Sequence, residues 1–471
     1  MTLQENVAIF IMLLYLKIRG DIMEKIKNFL VSDWFTVLLL ISAVGIVFSG
    51  AEIIGTLIFA LICCATLALT DDWMPVFQVI MFTTCFAIRC KNSFSTFLGY
   101  WWLLPVMVAL VIIHFVRFKA KFSKGMCFKG ILATSLAVTL GGVGIITFKE
   151  YFFYTSIFNV FMLGFAMLII YAYMSGTLKA SDEYSFGEKF SKMMVCVICL
   201  LAVCLFEEYF SNRELLADGF EIIPFQWRNN GATMLMLAMP FAFYLSAKDF
   251  GFFFIGILDY VLILFTGSRG GMLFGIIELI ICIVAMFVID KRHRPAIAAM
   301  IGVALVVTAL TYRTWIDMMS YTLLRLIDPD ENSIRLQLIS RGIEDFKANP
   351  IFGRGIGYMG NRDVHKSADF ALCWYHCSPV QIFGSFGICG IAAYGYLIYL
   401  RIKTLHRNLT FFNIIMFISY IGLELMSLVN PGIFAPFPYL FLITIYFVMM
   451  ERCNNGKDKE ILSKITKGEK I

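Results

Sequence analysis

The sequence predicts an all-α polytopic membrane protein. Of its 471 residues, 60% are hydrophobic and only 15% are charged. Long apolar runs separated by short polar breaks recur from Trp34 to Met450. These runs lack the period of two residues that is typical of strands in a membrane barrel. Because a helix satisfies its own backbone hydrogen bonds in lipid, the runs are predicted to be transmembrane helices.

Hydrophobicity divides the chain into five parts that hold about 12–14 transmembrane helices in total, each needing about 20 apolar residues. The parts are a cytoplasmic or interfacial segment (1–33), a bundle of about 11 spans (34–312), a large extracytoplasmic loop with short helices (313–378), three C-terminal transmembrane helices (379–450) and a basic cytoplasmic tail (451–471). One apolar run in the first part, 7–16, is too short to cross a membrane.

Positive charge sets the predicted orientation. The lysine-rich tail that follows Arg452 is placed in the cytoplasm. One crossing per span then puts three other basic loops, 117–129, 291–294 and 401–407, on the same side. The loop 313–378 falls on the outer side. The net charge of +6 therefore reports topology, and no nucleic-acid partner is predicted because the basic residues form no single patch.

One arginine stands at the outer entry to a span, within Ser268-Arg269-Gly270. The orientation places the N-terminus of that helix, with its free N–H groups and positive dipole end, at the outer surface beside Arg269. Ser268 can cap the helix, and Gly270 lets a phosphate approach the backbone closely. This combination predicts an anion site. The alternative is a tight turn between two helices with a snorkelling arginine.

Two further arginines are predicted on the outer side. Arg228 lies at the entry to another inward-running span, and Arg335 lies on a helix predicted for 333–348 in the large loop. Several arginines at one surface favour convergent binding of an anion.

A glycine-rich run, Asn349-Pro350-Ile351-Phe352-Gly353-Arg354-Gly355-Ile356-Gly357, follows the helix predicted in the loop. It contains a literal GxGxxG pattern at 355–360, but no strand precedes it, so a dinucleotide site is not predicted. The run is expected to form a compact turn that returns the loop to the membrane, with Arg354 facing the cavity.

His376 immediately precedes Cys377-Ser378-Pro379, in which Ser378 is the expected N-cap and Pro379 the first helical residue. A helix N-terminus disfavours the charged form of histidine, which keeps a neutral imidazole available as a base. The alternative is a capping or packing histidine in an aromatic environment.

Acidic residues in the loop could be mistaken for a metal site. The group consists of Asp328, Asp330 and Glu331 beside Pro329, and solvated charge is the favoured interpretation. No other carboxylate or histidine cluster at the outer face has the spacing of metal ligands. Neither a metal nor a cofactor is predicted.

Together these motifs resemble those of the O-antigen ligase and polysaccharide polymerase superfamily of integral-membrane glycosyltransferases. The matching pieces are Arg228-Asn229-Asn230, Ser268-Arg269-Gly270, Arg335 spaced ahead of the Asn349 to Gly355 run, and His376 opening a helix with Gln381, Gly384 and Gly387. The likeness covers roughly 227–400. One departure is Cys377, because the family often has asparagine at this position.

The resemblance implies a GT-C-type, metal-independent transfer of a glycan from an undecaprenyl diphosphate carrier to an acceptor hydroxyl, at the extracytoplasmic face of the cytoplasmic (inner) membrane. Arg269, Arg228 and Arg335 would hold the diphosphate and offset its charge as it leaves. His376 would take the proton from the acceptor. The supporting residues would be Ser268, Gly270 and Arg354. The implied partners are the carrier-linked glycan donor, a glycan or lipid acceptor and other polysaccharide-assembly proteins.

The choice between a polymerase and a ligase stays open. A polymerase extends a carrier-linked chain, whereas a ligase passes the finished chain to another acceptor, and both would use the same residues. A polymerase, or a capsule or exopolysaccharide equivalent, is slightly favoured because nothing in the sequence marks an outer-membrane lipid acceptor.

The alternative from another class is a transporter or flippase of lipid-linked sugars, which would carry ionisable residues at mid-membrane depth. The candidates are Asp259, Glu278 and Glu424.

Overall fold

The computed structural model describes residues 22–90, 99–142, 155–180, 185–216, 225–313, 316, 329–356, 374–430, 432–434, 437–453 and 456–469. Within these ranges the protein contains eighteen α-helices and no β-strand, which confirms the predicted all-α class. The apolar run at 7–16, Asp328 and the end of the GxGxxG pattern lie outside the described residues.

Nine helices precede the central one. They are α1 (Ile22–Val31), α2 (Asp33–Ser49), α3 (Glu52–Leu69), α4 (Trp73–Ala87), α5 (Leu104–Phe118), α6 (Phe128–Gly141), α7 (Thr155–Leu163), α8 (Phe165–Thr177) and α9 (Phe186–Ser211). The others are α10 (Arg228–Ser246), α11 (Gly251–Phe265), α12 (Arg269–Ile289), α13 (Arg294–Leu310), α14 (Pro329–Ala348), α15 (Ser378–Arg407), α16 (Phe411–Met426), α17 (Phe437–Arg452) and α18 (Gly456–Lys467).

Many of these helices have the composition of membrane spans. Within the described residues, five helices are long and apolar enough to cross a membrane: α3, α9, α12, α15 and the segment Trp101–Phe118, which includes α5. A bent pair, α1 and α2, passes the same test as one unit, and six further apolar helices have 10–17 residues. The polytopic class is confirmed, whereas the number of spans and the division into five parts stay predictions.

The helix α10 lies at the centre of the bundle. It is buried without interruption from Gly231 to Ser246 and contacts α9, α11, α12 and α16. A helix that is apolar on every face is stable when other elements surround it completely. Because α10 begins at Arg228, the packing that buries the helix also fixes the position of this arginine.

Contacts between helix ends join residues that the predicted topology places on the same side. At the predicted outer side, the N–H of Ser378 donates to the carbonyl of Ser427 (2.8 Å). At the predicted inner side, the hydroxyl of Tyr171 donates to the Glu451 carboxylate (2.7 Å). These contacts are consistent with the alternating order of spans.

The long helix α15 is interrupted at Gly387, whose φ of 61° and ψ of −153° are not helical. The turn formed by the glycine-rich run packs against this interruption. Four backbone hydrogen bonds join them: Arg354 N–H to Gly384 C=O (2.9 Å), Gly355 N–H to Ser385 C=O (2.9 Å), Ile388 N–H to Pro350 C=O (2.8 Å) and Cys389 N–H to Ile351 C=O (3.2 Å). An interrupted helix at membrane depth leaves backbone groups that lipid cannot satisfy. The turn supplies their partners.

Gly353 is the position where this packing tolerates least change. Its φ is +70°, and an added Cβ would lie 2.3 Å from the carbonyl carbon of Ser385 and 2.4 Å from the nitrogen of Phe386. Backbone atoms of a packed helix cannot move aside, so Gly353→Ala is expected to lower the free energy of unfolding by about 2 kcal/mol or more. Thermal unfolding of the detergent-purified protein measures this change.

The matched control for this substitution is Gly395→Ala on α15, the helix against which the turn packs. An added Cβ there meets no atom within 4 Å, so its unfolding temperature should equal or exceed that of the wild type. Equal unfolding temperatures for the Gly353 and Gly395 variants would contradict the proposed role of the turn.

Candidate functional site

Three arginines from separate segments line one pocket. Arg228 is the first residue of α10, Arg269 is the first residue of α12, and Arg335 lies on α14. The other described lining residues are Asn229, Gly267, Gly270, Met426 and Val429. The structure therefore brings together the three arginines for which the sequence predicted convergent anion binding and the family resemblance implied diphosphate binding.

A side-chain hydrogen bond joins the N-termini of α10 and α12. The Oγ of Ser268 accepts the N–H of Gly271 (3.2 Å), as the predicted N-cap should, and donates to the Oδ1 of Asn229 (2.7 Å). Ser268 is fully buried. It therefore fixes the spacing between Arg228 and Arg269, and the positive dipole ends of both helices lie at the pocket.

Gly270 lines the pocket where α12 meets the end of α16. An added Cβ would lie 2.6 Å from Cγ2 of Val429 and 3.2 Å from Sδ of Met426. A larger residue would push the two helix ends apart. A phosphate contact at the Gly270 backbone stays a prediction.

Arg335 reaches the pocket from the helix predicted in the loop. That helix starts earlier than the predicted 333–348 and spans Pro329–Ala348. Burial lowers the pKa of the Arg335 guanidinium, and the positive charge of Arg228 lowers it further. In the described part of the chain, no carboxylate lies within ion-pair distance of Arg228 or Arg335. Two positive charges thus face each other, and no anion from the described residues lies between them.

This arrangement is suited to an oxyanion. Arginine binds phosphate through paired, charge-assisted N–H bonds, and a bound anion would offset the repulsion between Arg228 and Arg335. The pocket is narrow, with about 20 Å³ open to a water-sized sphere, which is room for roughly one water molecule. A diphosphate would fit only after the long arginine side chains change rotamer.

His376 lies directly before α15 in a left-handed backbone conformation, with a φ of 54°. This conformation costs about 1–2 kcal/mol for a residue with a Cβ, and backbone strain of this kind concentrates at functional sites. The prediction that Ser378 is the N-cap is wrong. Cys377 is the N-cap, with φ −153° and ψ 114°, because the backbone already turns into the helix at Ser378, whose N–H bonds the end of α16.

His376 lies at the same end of the bundle as the three arginines, although it is not among the residues that line their pocket. The bond from Ser378 N–H to Ser427 C=O joins the start of α15 to the end of α16. Met426 and Val429, which flank Ser427, line the arginine pocket. Because two peptide units separate His376 from Ser378, their Cα atoms are at most about 7.6 Å apart.

Tyr375, which directly precedes His376, is held at two points. Its hydroxyl donates to Oδ2 of Asp345 (2.7 Å), and its N–H donates to Oε1 of Gln381 (3.1 Å). Asp345 also faces Arg354, with 3.7 Å between Oδ1 and Nε. Arg354 therefore supports the hydrogen bonds between Asp345 and Tyr375. It does not line the arginine pocket, whereas the sequence predicted that it faces the cavity.

Asp345 and Tyr375 were not among the site residues predicted from the sequence. A signal for Asp345 was present, since it follows the buried Leu338 by seven residues and thus shares its helix face. No sequence pattern marked Tyr375, because its role depends on packing between α14 and α15.

The Asp345 carboxyl predicts a dependence of stability on pH. Burial raises its pKa above the usual range, although Tyr375, Arg341 and Arg354 act in the opposite direction. A carboxyl with a raised pKa in the folded state binds its proton more tightly there, so its contribution is complete below about pH 4 and is lost as pH rises through the folded-state pKa. As the pH rises from about 4 through the folded-state pKa of Asp345, the unfolding temperature of the wild type should therefore fall relative to that of Asp345→Asn. A constant difference between the two proteins would contradict it.

The comparison with known families decides the identity of the region around this site. Residues 251–395 match a family model described as O-antigen ligase. The chain carries an O-antigen ligase domain. The predicted O-antigen ligase and polymerase superfamily is thereby confirmed. No curated protein and no solved structure matches the chain.

The O-antigen ligase domain extends from α11 into α15 and contains Arg269, Arg335, Arg354 and His376, whereas Arg228 precedes it. The arginine pocket is thus completed from outside the domain by α10. Within the described residues, no group of three or more His, Cys, Asp or Glu side chains could hold a metal ion.

Proposed function

We propose that this protein transfers a glycan from undecaprenyl diphosphate to an acceptor hydroxyl, at the extracytoplasmic face of the cytoplasmic membrane. The observation that carries the proposal is the pocket shared by Arg228, Arg269 and Arg335. The O-antigen ligase domain supports the reaction class. The donor carrier, the face of the membrane and the residue roles are part of the proposal.

The reaction assigns one task to each part of the site. The acceptor oxygen attacks the anomeric carbon of the donor sugar, and the bond between that carbon and the diphosphate oxygen breaks. His376 takes the proton from the acceptor hydroxyl. The three guanidinium groups stabilise the negative charge that develops on the departing diphosphate. Because these groups supply the positive charge, we propose that the transfer needs no metal ion.

Reconstitution tests this function. The purified protein in liposomes receives a glycan linked to undecaprenyl diphosphate, and the released undecaprenyl diphosphate and the elongated or transferred glycan are measured, with and without a chelator. Release coupled to transfer in both conditions is expected. Movement of the intact donor across the bilayer without any release would contradict the enzyme and support a flippase.

The proposed site serves a polymerase and a ligase equally well, and we favour a polymerase. Polysaccharide from a deletion strain separates the two. Single unattached repeats would indicate a lost polymerase, whereas chains of normal length that stay on the carrier would indicate a lost ligase. Assembly partners of the polysaccharide pathway would act with either enzyme.

Two carboxylates inside the bundle bear on the transporter alternative. Asp259 and Glu278 are fully buried, and none of their carboxylate oxygens has a hydrogen-bond partner among the described residues. Glu424, in contrast, pairs with Arg401 (3.5 Å). Unpaired carboxylates of this kind would be expected in a proton-coupled transporter.

The double variant Asp259→Asn/Glu278→Gln should retain glycan transfer within about threefold and should unfold at the same or a higher temperature, because no ion pair is lost. The reconstituted transfer assay and thermal unfolding check this expectation. Loss of transfer from a stable variant would show that buried carboxylates outside the arginine pocket are needed for the reaction and would contradict the assignment of the chemistry to that pocket.

A further inference from the structure

A second, larger cavity is lined in part by Trp227, the residue next to Arg228 of the arginine pocket. Its volume is about 810 Å³, and its lining includes Arg89, Glu52, Glu207, Glu208 and Trp227. Clefts that bind organic ligands typically have volumes of about 300–1,000 Å³. Trp227 immediately precedes Arg228, so consecutive residues at the start of α10 line the two cavities, and both cavities lie at the same predicted side of the membrane.

Arg89 connects the carboxylates of this cavity. Its Nη2 lies 3.2 Å from Glu52 and also pairs with Glu207. Its side chain is only 7% exposed, and the buried Cys204 side chain also lies beside the guanidinium. The guanidinium therefore offsets part of the negative charge of the cavity and holds the carboxylates of Glu52 and Glu207 in place.

The polar groups of the cavity also offer acceptors. One carboxylate oxygen of Glu208 accepts the indole N–H of Trp227 (3.1 Å), and one oxygen of Glu207 accepts the hydroxyl of Ser211 (2.8 Å). Ionised carboxylates only accept hydrogen bonds, so their ligand must donate O–H or N–H groups. Three carboxylates against one guanidinium make the lining net negative, which disfavours an acidic ligand.

The two cavities have opposite charge. An excess of arginine at Arg228, Arg269 and Arg335 lies beside an excess of carboxylate around Arg89. A molecule that is anionic at one point and hydroxyl-rich and uncharged next to it complements both. We propose that the larger cavity binds neutral, hydroxyl-rich sugar residues of the glycan adjacent to the diphosphate, and that it selects against acidic sugars. This inference rests on the proposed function for the identity of the anionic group.

Binding measurements with three defined probes test the inference on the purified full-length protein. The probes are undecaprenyl diphosphate alone, the same carrier bearing N-acetylglucosamine and the same carrier bearing glucuronic acid. The wild type should bind the N-acetylglucosamine probe about tenfold more tightly than either of the others, as one or two charge-assisted hydrogen bonds provide. Equal affinity for the neutral and the acidic probe would overturn the inference.

Glu208→Gln locates the selectivity. The amide oxygen can still accept the Trp227 indole N–H, while the negative charge is lost. This variant should discriminate less between the neutral and the acidic probe and should bind the bare carrier as the wild type does. The matched control is Glu214→Gln, an exposed residue outside the cavity lining, which should retain full discrimination. Unchanged discrimination in Glu208→Gln would place the selectivity elsewhere and overturn the inference.

Failure of this inference can be told apart from failure of the proposed function. Arg269→Ala should weaken binding of the bare carrier, which carries no sugar and reports on the arginine pocket alone. If that binding weakens and no sugar preference exists, the sugar cavity is wrong and the diphosphate site stands. If a sugar preference exists but Arg269→Ala has no effect on the bare carrier, the diphosphate site is wrong.

Discussion

Arg269→Ala is expected to lower the rate of glycan transfer by roughly two to three orders of magnitude. Arg269 lies at the N-terminus of α12 and shares its pocket with Arg228 and Arg335, so its guanidinium and the helix dipole act on the same anion. Removing a positioned donor to a developing negative charge affects the transition state more than the ground state. Initial rates of undecaprenyl diphosphate release from the wild type and from Arg269→Ala in liposomes measure this decrease.

Two further variants show whether the effect of Arg269→Ala is specific. Arg269→Lys keeps the positive charge but loses the paired N–H geometry, so an intermediate rate is expected. Arg213→Ala removes another arginine of the predicted outer side, which donates to the Phe210 carbonyl (3.2 Å) and does not line the pocket. This control should keep the wild-type rate. If Arg269→Ala and Arg213→Ala had equal rates, Arg269 would have no role in transfer.

His376→Ala is expected to reduce transfer by about two to four orders of magnitude, because general-base catalysis contributes about this much. The reduction should fall on kcat, since His376 does not line the arginine pocket and the carrier should still bind. Arg269→Ala should in contrast weaken carrier binding as well. A comparison of kcat and KM for the two variants in the reconstituted assay separates a base from a binding residue.

His406→Ala serves as the matched control for the histidine. His406 is exposed near the end of α15, at the predicted cytoplasmic side, so its loss should leave transfer unchanged. A His376→Ala protein that unfolds at the wild-type temperature and transfers glycan at the wild-type rate would assign His376 to packing, which is the alternative that the sequence left open.

Sequence reasoning succeeded where one residue type has a strong physical preference. Apolar runs identified the helical membrane class. The topology derived from the basic loops, in which Arg228, Arg269 and the loop helix fall on one side, stays a prediction. The cap at Ser268 was predictable because the hydroxyl, the free N–H groups and the following glycines stand next to one another in the chain. The pocket then brought together residues that topology had placed at the same surface.

The parts that the sequence did not reveal depend on contacts between distant segments. The glycine-rich turn satisfies the backbone of α15 at Gly387, and nothing in either segment alone indicates this pairing. Tyr375 and Asp345 meet only because α14 packs on α15. Arg89 was not among the residues predicted from the sequence, because its place in the cavity depends on ion pairs with Glu52 and Glu207 from other helices.

The measurement that tests the diphosphate site most directly is a structure of the protein with bound undecaprenyl diphosphate. We expect density for the phosphate groups among Arg228, Arg269 and Arg335, with their guanidinium N–H groups within hydrogen-bond distance. The terminal phosphate, whose oxygen carries the sugar in the donor, should lie on the side of His376. Phosphate density away from these three arginines, with the carrier bound at full occupancy, would contradict it.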